Sequence, residues 1–332
     1  MLRHFNMHKF ALCYMDDFLI CGKADTNQCA NHMSAMTALC SELGVPLAVE
    51  KTVGPTTRTV FLGIEIDTVS QTLSIPSNKY TRLVDMIDLW LIKTTCSRKE
   101  VQSLVGTLMF ASKCVPSGRL FTRRLTASLS QIRPPVVSIT LDRDFYLDLS
   151  WWKVFLPRWN GTCRFIKPFW SHSSSINLFT DASATLGCGA FFDGAWFTLR
   201  WPQWLLSANF SIEFLEYLPI LFACLVWKES FHTRQIFFQC DNLGAVQAWL
   251  KLGSSSRAVL HILREITSIS AASNFLIRLV HLPGIDNGIA DALSRNDMTR
   301  FRSLAPLAHP TLVHLPDLFG PLLTAYLSQQ WT

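Results

Sequence analysis

No two of the ten cysteines in this 332-residue sequence stand in a Cys-x-x-Cys spacing. A zinc ribbon or finger and a paired disulfide framework are therefore not indicated. Most of the thiols, such as Cys13 and Cys240, sit inside apolar segments, where a reduced cysteine behaves as a small core residue. A reducing, intracellular compartment is the expectation, cytoplasmic or nuclear. Long apolar runs are missing too. Mean hydropathy is positive, yet the most continuous apolar stretch, Tyr217 to Trp227, is far shorter than a membrane span and contains Pro219. The N-terminal residues show no apolar segment followed by a cleavage site, so neither a leader peptide nor a membrane anchor is expected. Internal repeats are absent as well.

Acidic residues are missing from one long window. Between Val101 and Leu141 there is no Asp or Glu, while Lys113, Arg119, Arg123, Arg124 and Arg133 all fall there. Such a stretch repels itself unless it is solvated or faces phosphates, and the formal net charge of +6 suits a polyanionic partner.

The periodicities that are present divide the chain. Phe10 to Gly22 reads as two short apolar strands around the tight turn Tyr14-Met15-Asp16-Asp17. An amphipathic helix follows, with Cys29, Met33, Met36, Cys40 and Leu43 on one stripe and Gly44 at its end. Val60 to Ile66 reads as a strand and Lys79 to Lys93 as a helix. Ser97 and Glu100 form a capping box that opens a helix carrying Leu104 and Leu108. Pro157, Asn160, Gly161, Pro168 and His172 to Ser175 punctuate the chain like a boundary. Beyond it come strands Ile176–Asp181, Cys188–Phe192 and Trp196–Trp201, then a helix from about Ser211 to Phe231. Strand Gln235–Cys240, two helices over Leu243–Ala272, strand Phe275–His281 and a closing helix near Asn287–Ser294 complete the pattern. Three consecutive strands followed by alternating helices and strands predict a mixed five-stranded sheet with flanking helices. The segment 301–332, rich in Pro and Leu, has no predicted fold.

Four carboxylates stand out by their placement. Asp181 and Asp241 each close an otherwise apolar strand, where α/β sheets carry ligand sites and where a charge needs compensation. Glu216 lies inside the long apolar helix, and Asp291 lies in the closing helix. Carboxylates gathered from separate elements repel one another and persist together around cations. Two Mg²⁺ ions roughly 3.5–4 Å apart match phosphodiester hydrolysis. Taken singly, such Asp residues cap helices or sit in turns.

The segments Thr-Asp-Ala-Ser, Glu-Tyr-Leu-Pro-Ile, Cys-Asp-Asn and Ala-Asp-Ala-Leu-Ser-Arg, in this order, resemble the ribonuclease H domain of retroelement polyproteins. The resemblance implies Asp181, Glu216, Asp241 and Asp291 as metal ligands for two Mg²⁺ (or Mn²⁺) ions, and an RNA:DNA hybrid recognised by shape and 2′-hydroxyls. Glu213, one turn away, competes with Glu216 for the helix position, and the Glu-x-x-Pro-Ile context favours Glu216. His281 is expected at a strand end. Ser183 and Asn242 adjoin the ligands as candidate backbone contacts, and Asn287 is a candidate for positioning the last helix.

Upstream, Tyr14-Met15-Asp16-Asp17 resembles the central metal-binding motif of reverse transcriptases. Gly44-Val45-Pro46-Leu47-Ala48 with Lys51, and Phe61-Leu62-Gly63-Ile64-Glu65, resemble the next two palm motifs. The resemblance implies Asp16 and Asp17 as metal ligands, Lys51 near a triphosphate, a Leu62-Gly63 hairpin gripping the primer, and Lys113, Arg119, Arg123 and Arg124 along a nucleic-acid backbone. The run from Lys113 to Arg124, with Trp151-Trp152 and Trp159-Asn160-Gly161, resembles the tyrosine-recombinase retrotransposons of the DIRS-like group. The implied layout is a partial palm over 1–75, a thumb- or connection-like helical region over 76–170, a ribonuclease H-like domain over 171–300 and a tail over 301–332. The implied class is α/β (α+β overall). A palm also needs an Asp from an earlier strand, and only 13 residues precede Tyr14. The polymerase site is thus expected to be half a site, inactive unless another retroelement polypeptide supplies the rest. A non-catalytic nucleic-acid-binding remnant is the alternative expectation.

Overall fold

Short apolar strands closed by tight turns build the first unit of the computed structural model, which describes residues 9–115, 118–130, 138–159, 161–165, 170–171 and 178–328. Strands β1 (Ala11–Tyr14) and β2 (Asp17–Ile20) pair antiparallel with Tyr14 opposite Asp17. Helix α1 (Gln28–Glu42) buries Met36, Leu39 and Cys40 against Ala11. Gly44, at φ +69°, ends it in a left-handed turn, its N–H reaching Ser41 O at 3.2 Å while that of Val45 reaches Cys40 O at 2.8 Å. Leu43, expected on the buried stripe, is exposed at the C-cap of α1. Val60 to Ile66 is a hairpin rather than a single strand. β3 (Arg58–Phe61) turns at Leu62 and Gly63, both with positive φ, into β4 (Ile64–Asp67), which pairs with β5 (Thr72–Ser74).

Two compact units emerge, Met1–Arg82 and Leu83–Thr332, the division falling within helix α2 (Ser77–Leu91). The second unit opens with β6 (Thr95–Ser97) and α3 (Arg98–Ala111), joined by the expected capping box of Ser97 and Glu100. A 3-10 turn at Gly118–Thr122 leads to α4 (Arg123–Ser128), β7 (Ser138–Thr140), which pairs with β6, and α5 (Arg143–Arg158). Strands β8 (Thr162–Arg164) and β9 (Trp170–Ser171) follow.

The remainder is the α/β arrangement. β10 (Leu178–Ala182), β11 (Gly187–Phe192) and β12 (Ala195–Arg200) form an antiparallel ladder. The last turn is Asp193-Gly194, both residues at positive φ, as a two-residue hairpin requires. After α6 (Gln203–Ser207) and α7 (Ile212–Phe231), β13 (Gln235–Cys240) leads through α8 (Leu243–Lys251) and α9 (Arg257–Ala272) to β14 (Leu276–His281). β13 is parallel to β14 on one side and to β9 at Gln235 and Ile236 on the other. All five expected strands form. They are bonded as two ladders, β10-β11-β12 and β14-β13-β9, with β10 packed beside β13. Ile176, expected in β10, lies outside the described residues, as do Arg133, Asn160, Pro168 and His172 to Ser175.

Helix α7 is almost wholly apolar from Phe214 to Cys224, and that stretch must be covered on every side. Phe214, Leu218, Ile220, Phe222, Cys224 and Phe231 are among its fully buried side chains. α9 supplies one cover through Val259, Ile262, Leu263, Ile266 and Ser270, a helical stripe, and the β10-β11 face supplies another. The segment beyond 300 also has structure. α10 (Gly288–Ser294) is followed by α11 (Met298–Leu304), whose buried Phe301 packs on Phe191 and Trp196, and by α12 (Phe319–Leu327), whose first residue packs on Trp201 and Phe222.

One buried ion cluster ties three helices together. Asp148 of α5, fully buried, accepts the Arg124 backbone N–H at 3.0 Å and faces the guanidinium groups of Arg124 at 3.6 Å and Arg264 at 3.3 Å. Removing the carboxylate strands the Arg264 guanidinium deep between helices and leaves Arg124 with Asp144 at 3.8 Å. Asp148→Ala is therefore expected to lower unfolding free energy by about 3–5 kcal/mol in a denaturant titration. A loss below about 1 kcal/mol would show that the cluster is not structural.

Candidate functional site

The alternation of β13 buries Ile236, Phe238 and Cys240 and leaves the next residue, Asp241, exposed where the chain turns into α8. Asn242 caps that helix, its side-chain oxygen accepting the Ala245 N–H at 2.9 Å. In β10, Asp181 is buried directly across from Gly189 of β11. A side chain at Gly189 would come within 2.3 Å of Leu293 Cβ and 2.8 Å of its carbonyl carbon, so a bare backbone there lets α10 lie on the sheet. Three hydrogen bonds hold it: Asn287 Nδ2 to Thr180 O at 2.9 Å, Thr198 Oγ1 to Leu293 O at 2.7 Å, and Ser294 Oγ to Asp181 Oδ2 at 2.5 Å. α7 begins with Ser211 capping Phe214 N, and its second turn delivers Glu216, only 4% exposed. The Tyr217 hydroxyl donates to Ala245 O and so fastens α7 to the start of α8.

These elements bring Asp181, Glu216 and Asp241 into one electrostatic neighbourhood. Burial first, then the charges of Asp181 and Asp241, push the Glu216 carboxyl up to about 10, and it shares a hydrogen bond with Asp241. Burial also raises Asp181 to about 6, opposed by the Ser294 hydroxyl and supported by the charges of Asp241 and Asp291. Asp291 behaves differently. Burial acts on it in the raising sense, but Arg295 at 2.6 Å and Arg300 hydrogen-bond its two oxygens and hold it below the usual carboxylate range. Buried thiols flank Glu216 as well: burial, then the Glu216 charge, pushes both Cys188 and Cys240 up.

A cleft opens over this group, lined by Ala182, Ser183, Thr185, Ile212, Glu216, Asp241, Asn242 and Arg295. The Ser183 hydroxyl accepts from Thr185 and Leu186 backbone N–H groups and so shapes the loop after β10. His281, exposed at the end of β14, pairs in register with Cys240, and a side chain at Gly284 would come within 3.2 Å of Asp241 Oδ2. Glu213 faces elsewhere, into a cavity shared with Arg123, Arg124, Lys251, Arg257 and Arg264. Carboxylate oxygens around a buried Glu216 with no basic partner among the described residues are a donor set suited to a hard divalent ion such as Mg²⁺ or Mn²⁺.

The basic residues separate into two kinds. Lys113 and Arg119 are exposed, the former 5.8 Å above the Phe110 ring. Arg123 donates to the Lys251 and Leu252 carbonyls and closes the end of α8, while Arg124 joins the Asp148 cluster. Trp152 is fully buried and donates to Phe121 O at 3.1 Å, and Trp151 stacks on Phe121 at 3.6 Å, so this motif is core. In the first unit, Asp16, Asp17 and Lys51 are exposed. Among the described residues, the one trio of His, Cys, Asp or Glu ligand atoms within 4.8 Å of one another is Glu216, Cys240 and Asp241, so none gathers around Asp16 and Asp17. Sequence reasoning missed Cys240, Arg300 and Ser294. Ser294 carried a signal, since it stands three residues after Asp291.

No protein-family model matches the chain, and no curated protein matches it. Among solved structures it is similar to a foamy viral protease-reverse transcriptase dRH in complex with ds DNA, at 14% identity and a TM-score of 0.41 over 82% of this chain and 46% of that one. It is also similar to a foamy viral protease-reverse transcriptase in complex with RNA/DNA hybrid, at 12% identity and a TM-score of 0.39 over 84% of this chain and 36% of that one. The chain thus spans less than half the length of these solved chains. So distant a likeness decides neither fold nor function, and both rest on the residues above.

The raised carboxyls set a pH dependence. Because Glu216 binds its proton more tightly folded than unfolded, its contribution to stability is complete below its ordinary value of 4.5 and is lost as pH rises toward about 10. Asp181 adds the same sign between 3.8 and about 6. Mg²⁺ is expected to raise Tm by several degrees at pH 8 and by much less at pH 5, and Glu216→Gln to shrink the difference. Equal shifts at both pH values would contradict the assignment.

Proposed function

We propose that this chain hydrolyses the RNA strand of RNA:DNA hybrids as a divalent-metal ribonuclease H, in the C-terminal part of a retrotransposon reverse transcriptase. The observation that carries the hydrolytic reading is Glu216, a buried carboxyl without a basic partner among the described residues, facing Asp181 and Asp241 under an open cleft. The choice of hybrid as substrate, and the DIRS-like kinship, are supported by the ordered motifs alone.

Asp181, Glu216 and Asp241 would hold the ions, joined by Asp291 once Arg295 releases one of its oxygens. Bound there, divalent ions supply an activated water and charge relief at the leaving 3′ oxygen. The chain's own residues do the positioning. Ser294 holds one Asp181 oxygen and leaves the other to a cation, and Asn287 fixes the register of α10 against β10. Arg295, on the rim of the cleft, is placed to meet a phosphate. Exposed Lys113 and Arg119 are the basic residues best placed for a backbone contact, since Arg123 and Arg124 are engaged internally. Asp16 and Asp17, with no third ligand among the described residues, are proposed not to support DNA synthesis unless another retroelement polypeptide completes the palm.

The second reading, a nucleic-acid-binding remnant without catalysis, is favoured by one observation: Asp291 is neutralised by two arginines. Incubation of the purified chain with a labelled RNA:DNA duplex and Mg²⁺ separates the two. Cleavage is expected, reduced by roughly two orders of magnitude or more in Asp181→Asn, Asp241→Asn and Glu216→Gln, and changed only a few-fold in Glu213→Gln. Binding without cleavage in the parent chain would establish the second reading, and an equal loss in Glu213→Gln would reassign the helix ligand.

A further inference from the structure

We propose that the acidic cleft also takes a thiophilic divalent ion, Zn²⁺, through Cys240 Sγ together with the carboxylates of Glu216 and Asp241, and that this ion blocks hydrolysis. Only the second half rests on the nuclease reading. One ligand atom from each of the three residues lies within 4.8 Å of the other two. Zinc with bonds of roughly 2.3 Å to sulfur and 2.0–2.2 Å to oxygen needs ligand atoms roughly 3.3–3.6 Å apart, so small side-chain movements close the site.

The chain path makes the trio possible. Cys240 is the last residue of β13, and strand alternation would send its neighbour to the opposite face. The backbone leaves the strand at Asp241 to enter the Asn242-capped helix α8, which brings both side chains toward the same carboxyl of α7. Glu216 gives an independent indication. It is 4% exposed, lines the cleft beside Asp241 and has no Lys or Arg partner among the described residues. A buried carboxyl in that position invites a cation.

The thiol decides which cation stays. Mg²⁺ prefers oxygen donors and leaves sulfur alone, so Cys240 is a bystander to it. Zinc binds thiolate well and accepts three protein ligands with water in the fourth position. Binding replaces the S–H bond by an S–Zn bond, and the proton passes to solvent. An ion so held occupies two carboxylates that the hydrolytic ions require, so zinc and magnesium compete for one cleft and Cys240 tilts the competition.

Cobalt reports such a site directly. The full-length chain, stripped of metal and carrying Cys13→Ser and Cys21→Ser to remove two exposed thiols, would be titrated with Co²⁺. A thiolate-to-cobalt charge-transfer absorption is expected, equivalent to one ion per chain, displaced by Zn²⁺ and resistant to a large excess of Mg²⁺. It should vanish in both Cys240→Ser and Cys240→Ala, with circular dichroism confirming the fold, and persist in Cys188→Ser. A missing band, or one that survives both Cys240 variants, overturns the proposal. In the hybrid-cleavage assay, Cys240→Ser is expected to need about tenfold or more Zn²⁺ for half-inhibition, and unchanged sensitivity overturns the inhibitory role. A cobalt band without any cleavage would sink the nuclease reading and leave this site standing, whereas cleavage without the band would sink this proposal alone.

Discussion

A carboxyl carried on the buried stretch of an apolar helix is the constraint from which the rest of this structure follows. From Phe214 to Cys224 α7 is buried on every side, so the sheet, α9 and the first residue of α12 must all pack against it. Glu216 goes inside with it. An ionised carboxylate removed from water costs several kcal/mol unless something answers its charge. Ser294 answers for Asp181 and two arginines answer for Asp291, but no basic side chain among the described residues answers for Glu216. The charge is left to a proton or to a cation from outside. The site is thus a consequence of how the core is built.

The same constraint explains the closeness of α10. Asp181 can be buried because the helix above it sits low enough for Ser294 to reach its oxygen, and it sits that low because Gly189 offers no side chain. Asn287 then prevents the helix from sliding, by bonding the carbonyl that precedes Asp181 in the strand. Three residues that would hold no metal set the position of one that would.

What was legible beforehand was whatever depends on neighbours in the chain. The apolar alternation of β13, the capping box at Ser97 and Glu100, and the buried helix with its odd glutamate all express short-range rules, and all are present in the structure. Glu216 faces the aspartates and Glu213 does not, in keeping with the Pro-Ile context. The misreadings are where a partner lies far along the chain. Val60 to Ile66 reads as one strand by its apolar run, and only the palm resemblance marks the Leu62-Gly63 turn, where both residues adopt positive φ. Arg123 and Arg124 read as phosphate ligands in a window free of acids, but α8 lies more than a hundred residues away and offers carbonyls to Arg123, while Asp148 lies outside the window. Cys240 is the core thiol that its apolar strand implies, and only its closeness to Glu216 is a tertiary fact. The order in residues 298–327 was likewise invisible, since Phe301 and Phe319 find their partners on strands and a helix a hundred residues earlier.

Asp291 brings these threads together. In a folded chain without ions or substrate, Glu216 keeps a proton and shares a hydrogen bond with Asp241, Ser294 holds Asp181, and Asp291 is quieted by Arg295 and Arg300. That arrangement is the cheaper one, because a guanidinium pair at a half-buried acid keeps charge balanced where water is scarce. A nucleic-acid backbone changes the balance. Its phosphate offers Arg295, already on the rim, another anion, and once the arginine turns to it Asp291 keeps Arg300 on one oxygen and has the other free for a cation. Four carboxylates hold a divalent ion more tightly than three, so under the nuclease reading phosphate and metal strengthen each other's binding, as coupled ligands must. A remnant that only bound nucleic acid would have no use for an unanswered carboxyl at Glu216, and exchanging it for an apolar side chain would remove the cost of burying it. That the acid stands in α7 beside Asp181 and Asp241, rather than a leucine like its neighbours, is the physical argument for a working site.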